Sequence, residues 1–325
     1  MTKRTKKSRP AAARAKSRLA PAAKPLVPAA PGKPRVPAAT AVCPVNPAAQ
    51  GWIESSLGWF AEQFGDRALR RDTVVPTASF LAERQYSGTA DQIKALVRHV
   101  CSLMAVDPGL IRVDLFDGSE EKKAAQKFRR KRAIGHFHME QGRAVIAVDQ
   151  NESSDPRLVT AIAAHELCHF RLQGEGRVSY DRPDGERLTD LLTVYFGFGI
   201  FTTNAAMSFA RADRNWIAMP TGDLDDRTLN AARNEGYHRV GYLNSAEFGY
   251  ALACYSWLRR EADPDWARNV NPGPLVSMSQ GLAFLAQSAV SGALPAQRLI
   301  GSSVKVNNAT IYIGRSAKKT GPTSL

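Results

Sequence analysis

Cysteine is scarce and dispersed. The 325 residues hold four, Cys43, Cys101, Cys168 and Cys254, and no two form a C-x-x-C pair. That spacing argues against a disulfide-stapled scaffold and a cysteine-built zinc site, and it suits a reducing cytoplasm. Acidic side chains are missing altogether from residues 1–40. Eleven lysines and arginines lie there, which leaves +3 of the net +14 for the rest of the chain. The basicity therefore belongs to that stretch and not to the folded body. The same stretch has no aromatic residue. Any binding to nucleic acid or another polyanion would then be non-specific and salt-sensitive, with no ring to stack on a base. It also lacks the apolar core of a signal peptide, and its recurring prolines oppose the amphipathic helix of a transit peptide, so the expectation is a cytoplasmic protein. No internal repeat, phosphate-binding loop or dinucleotide fingerprint occurs.

A membrane span is not favoured either. The residues between Asp190 and Arg211 carry no charge and are long enough to cross a bilayer. However, Thr193, Thr202, Thr203, Asn204, Ser208 and two glycines make them poorly apolar, so a buried helix is expected.

What is present reads as an α+β chain. Residues 1–50, rich in Lys, Ala and Pro, are expected to be a disordered basic tail. Residues 51–150 should form an α/β part, 151–315 a helical part, and 316–325 a frayed end. In the first part, Trp52, Ile53, Leu57 and Phe60 suggest a helix. Thr89 and Gln92 form a capping-box signal before Ile93, Leu96, Val97 and Val100 at helical spacing. Residues 110–116 alternate as a strand does. Two more strands, 133–139 and 143–148, flank Glu140-Gln141-Gly142 as a hairpin. His136 and His138 would share one face of it. Further on, 211–240 is polar and reads as a connection or lid. Asn244 and Glu247 signal another cap before an amphipathic helix, and 304–313 suggests a last strand.

The chemistry concentrates in His165-Glu166-Leu167-Cys168-His169, an H-E-x-x-H motif in a helix-forming run. Residues four apart lie on one helix face, so both imidazoles can reach one zinc ion. Glu166 is rotated off that line, where it can act as general base on a water that the metal holds. Asp155-Pro156 is a strong helix start and Gly174 a suitable stop. Zinc in a catalytic site takes three protein ligands. Glu186 is the candidate third, and Asp190, four residues on, can accept the free ring N–H of a liganding histidine. Asp190 or Glu175 remain alternatives for the third position. Cys168 lies off the ligand face and reads as a small buried side chain.

H-E-x-x-H followed by E-x-x-x-D on a second helix resembles the gluzincin, or thermolysin-like, branch of the zinc metallopeptidases. The likeness covers about residues 155–205, a segment that also looks like that of uncharacterised bacterial proteins. It implies a zincin-like core in which a short sheet precedes the metal helix and a second helix brings the third ligand. It implies His165, His169 and Glu186 as zinc ligands, Glu166 as base and Asp190 buttressing a histidine. It further implies a peptide or protein substrate paired to an edge strand, for which Arg143–Val148 is the candidate. An oxyanion donor is also needed, with Tyr242, Tyr250 and His238 as candidates. Two other readings stand beside the peptidase: a zincin-fold protein that binds metal with little turnover, and a polyanion-binding protein that acts through residues 1–40.

Overall fold

A computed structural model describes residues 41–81, 85–119, 134–212 and 242–291. The basic stretch 1–40, the charged segment after Ser119, the connection up to 241, His238 and the strand expected at 304–313 lie outside the described residues.

The fold is mixed α+β, with a small sheet against a larger set of helices. Helix α1 (Pro47–Phe64) is capped by the Asn46 side chain and has proline in its first turn. It thus begins ahead of the boundary expected at residue 50, because the cap and proline outweigh the Ala-rich composition. Helix α2 (Ala90–Leu103) opens on the Thr89–Gln92 capping box and buries Ile93, Leu96, Val97 and Val100 on one face. Each such side chain contributes about 1.5–3 kcal/mol on leaving water.

Strands β1 (Ile111–Phe116), β2 (Gly135–Glu140) and β3 (Arg143–Asp149) form one sheet in the order β1-β3-β2. β3 pairs in parallel with β1 and antiparallel with β2. This overturns one expectation. Arg143–Val148 lies wholly within the central strand, with Val145, Ile146 and Val148 fully buried, so its backbone is already paired with strands on both sides. Among the described residues, both β1 and β2 are edge strands, and β2 is the one that packs against the helix that follows, Pro156–His169.

Helix α3 (Pro156–His169) runs from the sheet into the centre of the molecule. Its cap is Asp155, whose side chain accepts the Arg157 N–H at 2.8 Å, and Pro156 takes the first helical position. Every residue from Val159 to His169 is buried. The helix continues through a π-helical turn, Phe170–Gly174. Such turns are frequent at functional sites.

The uncharged run after Asp190 splits into α4 (Gly185–Tyr195) and α5 (Gly199–Ala212). The break is at Gly197, whose φ of 86° suits glycine. A Cβ at Gly199 would lie 2.8 Å from Leu252, so the bare backbone allows close packing there. No helix among the described residues is long and apolar enough to cross a membrane. Helix α6 (Ser245–Leu258) starts from the Asn244–Glu247 capping box and packs along α7 (Pro272–Val290). One hydrophobic core joins Ile53, Ile93, Ile146, Leu167, Leu191 and Leu252. The parts expected on either side of residue 150 therefore share a core.

Candidate metal centre

Three lone-pair donors converge at the junction of α3 and α4. His165 Nε2 lies 3.2 Å from His169 Nε2 and 3.3 Å from Glu186 Oε2, and His169 Nε2 is also 3.3 Å from Glu186 Oε2. Four ligands placed tetrahedrally around zinc at 2.0–2.1 Å are about 3.3–3.4 Å apart. The triangle thus has the edge length of one face of such a tetrahedron, and the fourth corner is left for another ligand. Among the described residues, this is the one such group of three metal-ligating side chains.

The partners of the two rings fix their tautomers. His165 Nδ1 is 3.0 Å from Asp190 Oδ1. A carboxylate only accepts, so Nδ1 carries the proton and Nε2 presents its lone pair. His169 Nδ1 faces Thr189 Oγ1 at 3.4 Å, and that hydroxyl gives its own proton to the Gly185 carbonyl at 2.9 Å. Thr189 therefore accepts from His169, whose Nε2 also presents a lone pair. Two imidazole lone pairs and a carboxylate then face each other with no donor between them, an arrangement that calls for a cation. In the metal-free protein a proton at Nε2 takes the place of that cation, and the titration behaviour shows the same demand for positive charge. Burial opposes charge on His165, but hydrogen bonds to Asp190 and Glu186 outweigh it and raise the ring well above its ordinary range. Burial would raise the Glu186 carboxyl, yet hydrogen bonds from both imidazoles hold it below its usual range.

Asp190 is fully buried, and its second oxygen accepts the backbone N–H groups of Tyr242 and Leu243, the latter at 3.0 Å. One carboxylate thus orients His165 and anchors the chain entering α6. It sits behind an imidazole and not in the donor triangle. Glu175, the other alternative for the third position, pairs instead with Arg171 and Arg177.

Glu166 lies beside the triangle, 6% exposed. Burial pushes its carboxyl up from the usual range, against the pull of His165 and His169. A buried carboxylate shifted towards neutrality suits a general base. Its position depends on Gly135 of β2. A Cβ there would lie 2.8 Å from Glu166 Oε1 and 2.5 Å from Ile162 Cγ2. Farther along β2, the Phe137 ring lies parallel to His169 with centroids 6.1 Å apart, and it meets Phe170 edge-on. The apolar face of β2 thus lies over α3. His136 and His138 are exposed on the opposite face, outside the donor triangle.

The oxyanion candidates separate. Tyr242 lies with its ring 6.4 Å from His165 and 20° from parallel. Tyr250 is excluded, because it is buried between α1 and α6 and gives its hydroxyl proton to Glu54 at 2.6 Å. His238 is outside the described residues. The sequence offered no signal for Thr189, Gly135 or Phe137, since each acquires its place through a contact between elements. Cys168 is fully buried, and burial raises its thiol well above the usual range, which fits an inert packing residue.

No protein-family model matches the chain, and neither a curated protein nor a solved structure matches it.

Proposed function

We propose that this chain is a zinc-dependent peptidase with a zincin-like core. The observation that carries the reading is the triangle of His165, His169 and Glu186, with the buried Glu166 beside it and the open edge of β2 alongside. Two imidazoles and one carboxylate are a donor set that zinc takes in hydrolases. When bound, zinc supplies Lewis acidity and a lowered pKa for water. The chain's own residues do the rest. The edge of β2, Gly135–Glu140, holds an extended peptide by main-chain hydrogen bonds. Glu166 takes the proton of the attacking water and delivers it to the leaving amine. Asp190 and Thr189 keep both imidazoles in the tautomer that offers Nε2. Tyr242, whose ring lies near His165, is the candidate donor to the carbonyl oxygen.

The test is hydrolysis of a mixed peptide library by purified protein loaded with one equivalent of zinc, compared with Glu166→Gln. The expected result is cleavage that chelation removes and that Glu166→Gln lowers by about 10²–10⁴-fold with zinc content unchanged. Zinc bound in both proteins with no cleavage by either supports the metal-binding reading without turnover. The charge of residues 1–40 favours a second, independent reading, a polyanion anchor. It predicts salt-sensitive retention on DNA that deletion of 1–40 abolishes and chelation leaves intact.

A further inference from the structure

The three donors are not held equally. His165 and His169 are buried, and each has its ring N–H engaged by a buried partner. The Glu186 side chain is 45% exposed, and its only partners among the described residues are the two imidazoles themselves. Little packing fixes its carboxylate, so its position depends on the backbone of the first turn of α4.

That turn is gripped from both sides by one residue of α1. Trp52 Nε1 donates to Asp184 Oδ2 at 2.8 Å, two residues before Glu186. The Arg187 guanidinium, one residue after Glu186, stacks 4.4 Å over the Trp52 ring. Arg187 is held in turn by Glu247 at 2.9 Å, the residue that completes the cap of α6. Asp184 occupies the cap position of α4 without capping it, because its carboxylate is turned to Trp52 and Arg182. Its hydrogen bonding thus serves the tether to α1 in place of its own helix.

We infer that Trp52 is a positioning residue for Glu186: by holding Asp184 and Arg187 together it sets the third donor against the two imidazoles, and cation affinity at the triangle depends on it. The inference rests on the donor-set reading above. It places part of the site's preorganisation in α1, 134 residues before Glu186 along the chain.

The experiment uses the full-length metal-free protein and zinc as probe, with Kd read by competition against a chromophoric chelator. Trp52→Phe keeps the ring under Arg187 and loses the N–H, and Trp52→Leu loses both contacts. Each is also made in a Glu186→Ala background, and the melting temperature of every metal-free protein is recorded. The expected rise in Kd is about 2- to 10-fold for Trp52→Phe, the worth of one hydrogen bond. For Trp52→Leu it is about 10- to 100-fold. If Trp52 acts through Glu186, both effects shrink to near nothing in the Glu186→Ala background. Should Trp52→Leu fail to fold, Trp52→Phe carries the same cycle. Wild-type Kd in the Trp52 variants, or an undiminished loss in the Glu186→Ala background, overturns the inference and leaves the donor set standing. No zinc binding by the wild type, or a Kd indifferent to Glu186→Ala alone, overturns the donor set and the inference with it.

Discussion

Asp190→Asn separates the ordering of a ligand from the holding of a fold. In the native protein one carboxylate accepts three N–H groups: His165 Nδ1 on Oδ1, and Tyr242 N and Leu243 N on Oδ2. Asparagine offers one acceptor oxygen and one NH2 donor. If its NH2 faced the two backbone amides, two buried donors would lose their acceptor at about 1–3 kcal/mol each. Turning the amide oxygen to Tyr242 and Leu243 instead keeps both, and leaves the NH2 pointing at His165 Nδ1. The imidazole then shifts its proton to Nε2, where the donor triangle needs a lone pair. The metal-free protein loses the charged partner that raises His165 but keeps the contact with its polarity reversed, so it loses less stability than when the side chain is removed. Zinc binding must undo that arrangement, so Kd should rise by about 10- to 100-fold, or about 1.4–2.7 kcal/mol. Asp190→Ala leaves all three donors without a partner and should cost at least about 3 kcal/mol of stability as well. Urea unfolding of the metal-free proteins and chelator competition for zinc measure the two effects. Wild-type zinc affinity in Asp190→Asn would refute the tautomer argument. So would equal loss of stability in the Asn and Ala variants.

Gly135→Ala should preserve zinc stoichiometry but reduce hydrolysis, because its Cβ falls 2.8 Å from Glu166 Oε1 and 2.5 Å from Ile162 Cγ2. Strain of about 1–3 kcal/mol in a urea titration and at least about a tenfold drop in turnover would be seen together. The thiols give a count under native conditions. Cys101, Cys168 and Cys254 are buried, and burial raises all three, so a thiol reagent at neutral pH should modify Cys43 first and reach four sites only in urea. Mass mapping that finds one of the buried three modified first would contradict this. Alkaline stability follows from Cys101, pushed up to about 12 by burial. Below about pH 9 both states keep the proton. Above it the unfolded chain releases a proton that the folded chain retains, so stability falls as pH rises towards 12, by up to about 1.4 kcal/mol per unit. Unfolding free energies at pH 9 and 10.5 should therefore converge more closely in Cys101→Ala than in the wild type.

Much of the candidate site was legible in the chain order. Asp155-Pro156 starts α3, and the four-residue spacing of His165 and His169 puts both rings on one face. The same spacing in Glu186 and Asp190 brings one carboxylate to the donor triangle and the other behind His165. The capping boxes at Thr89 and Asn244 likewise start the helices their sequences announce. All of these are interactions within a turn or two of helix, so adjacent residue types suffice to decide them. Strand order was not of that kind. The hairpin alone leaves either β2 or β3 open, and it is the parallel pairing of β1 with β3, across about thirty residues, that closes one edge and leaves β2 beside α3. The same holds for Tyr250, drawn away to Glu54 on α1, and for Gly135, whose missing Cβ matters only once β2 lies over Glu166. Trp52 reads in sequence only as one of the residues that suggest the first helix. Its hold on the turn that carries Glu186 exists because α1 packs against α4, a long-range contact whose energy no local pattern encodes. The sequence by itself thus determined which groups come together in the donor triangle, because helical periodicity is local. The tertiary structure alone decided what orients those groups and which strand edge faces them, because both depend on packing between elements distant along the chain.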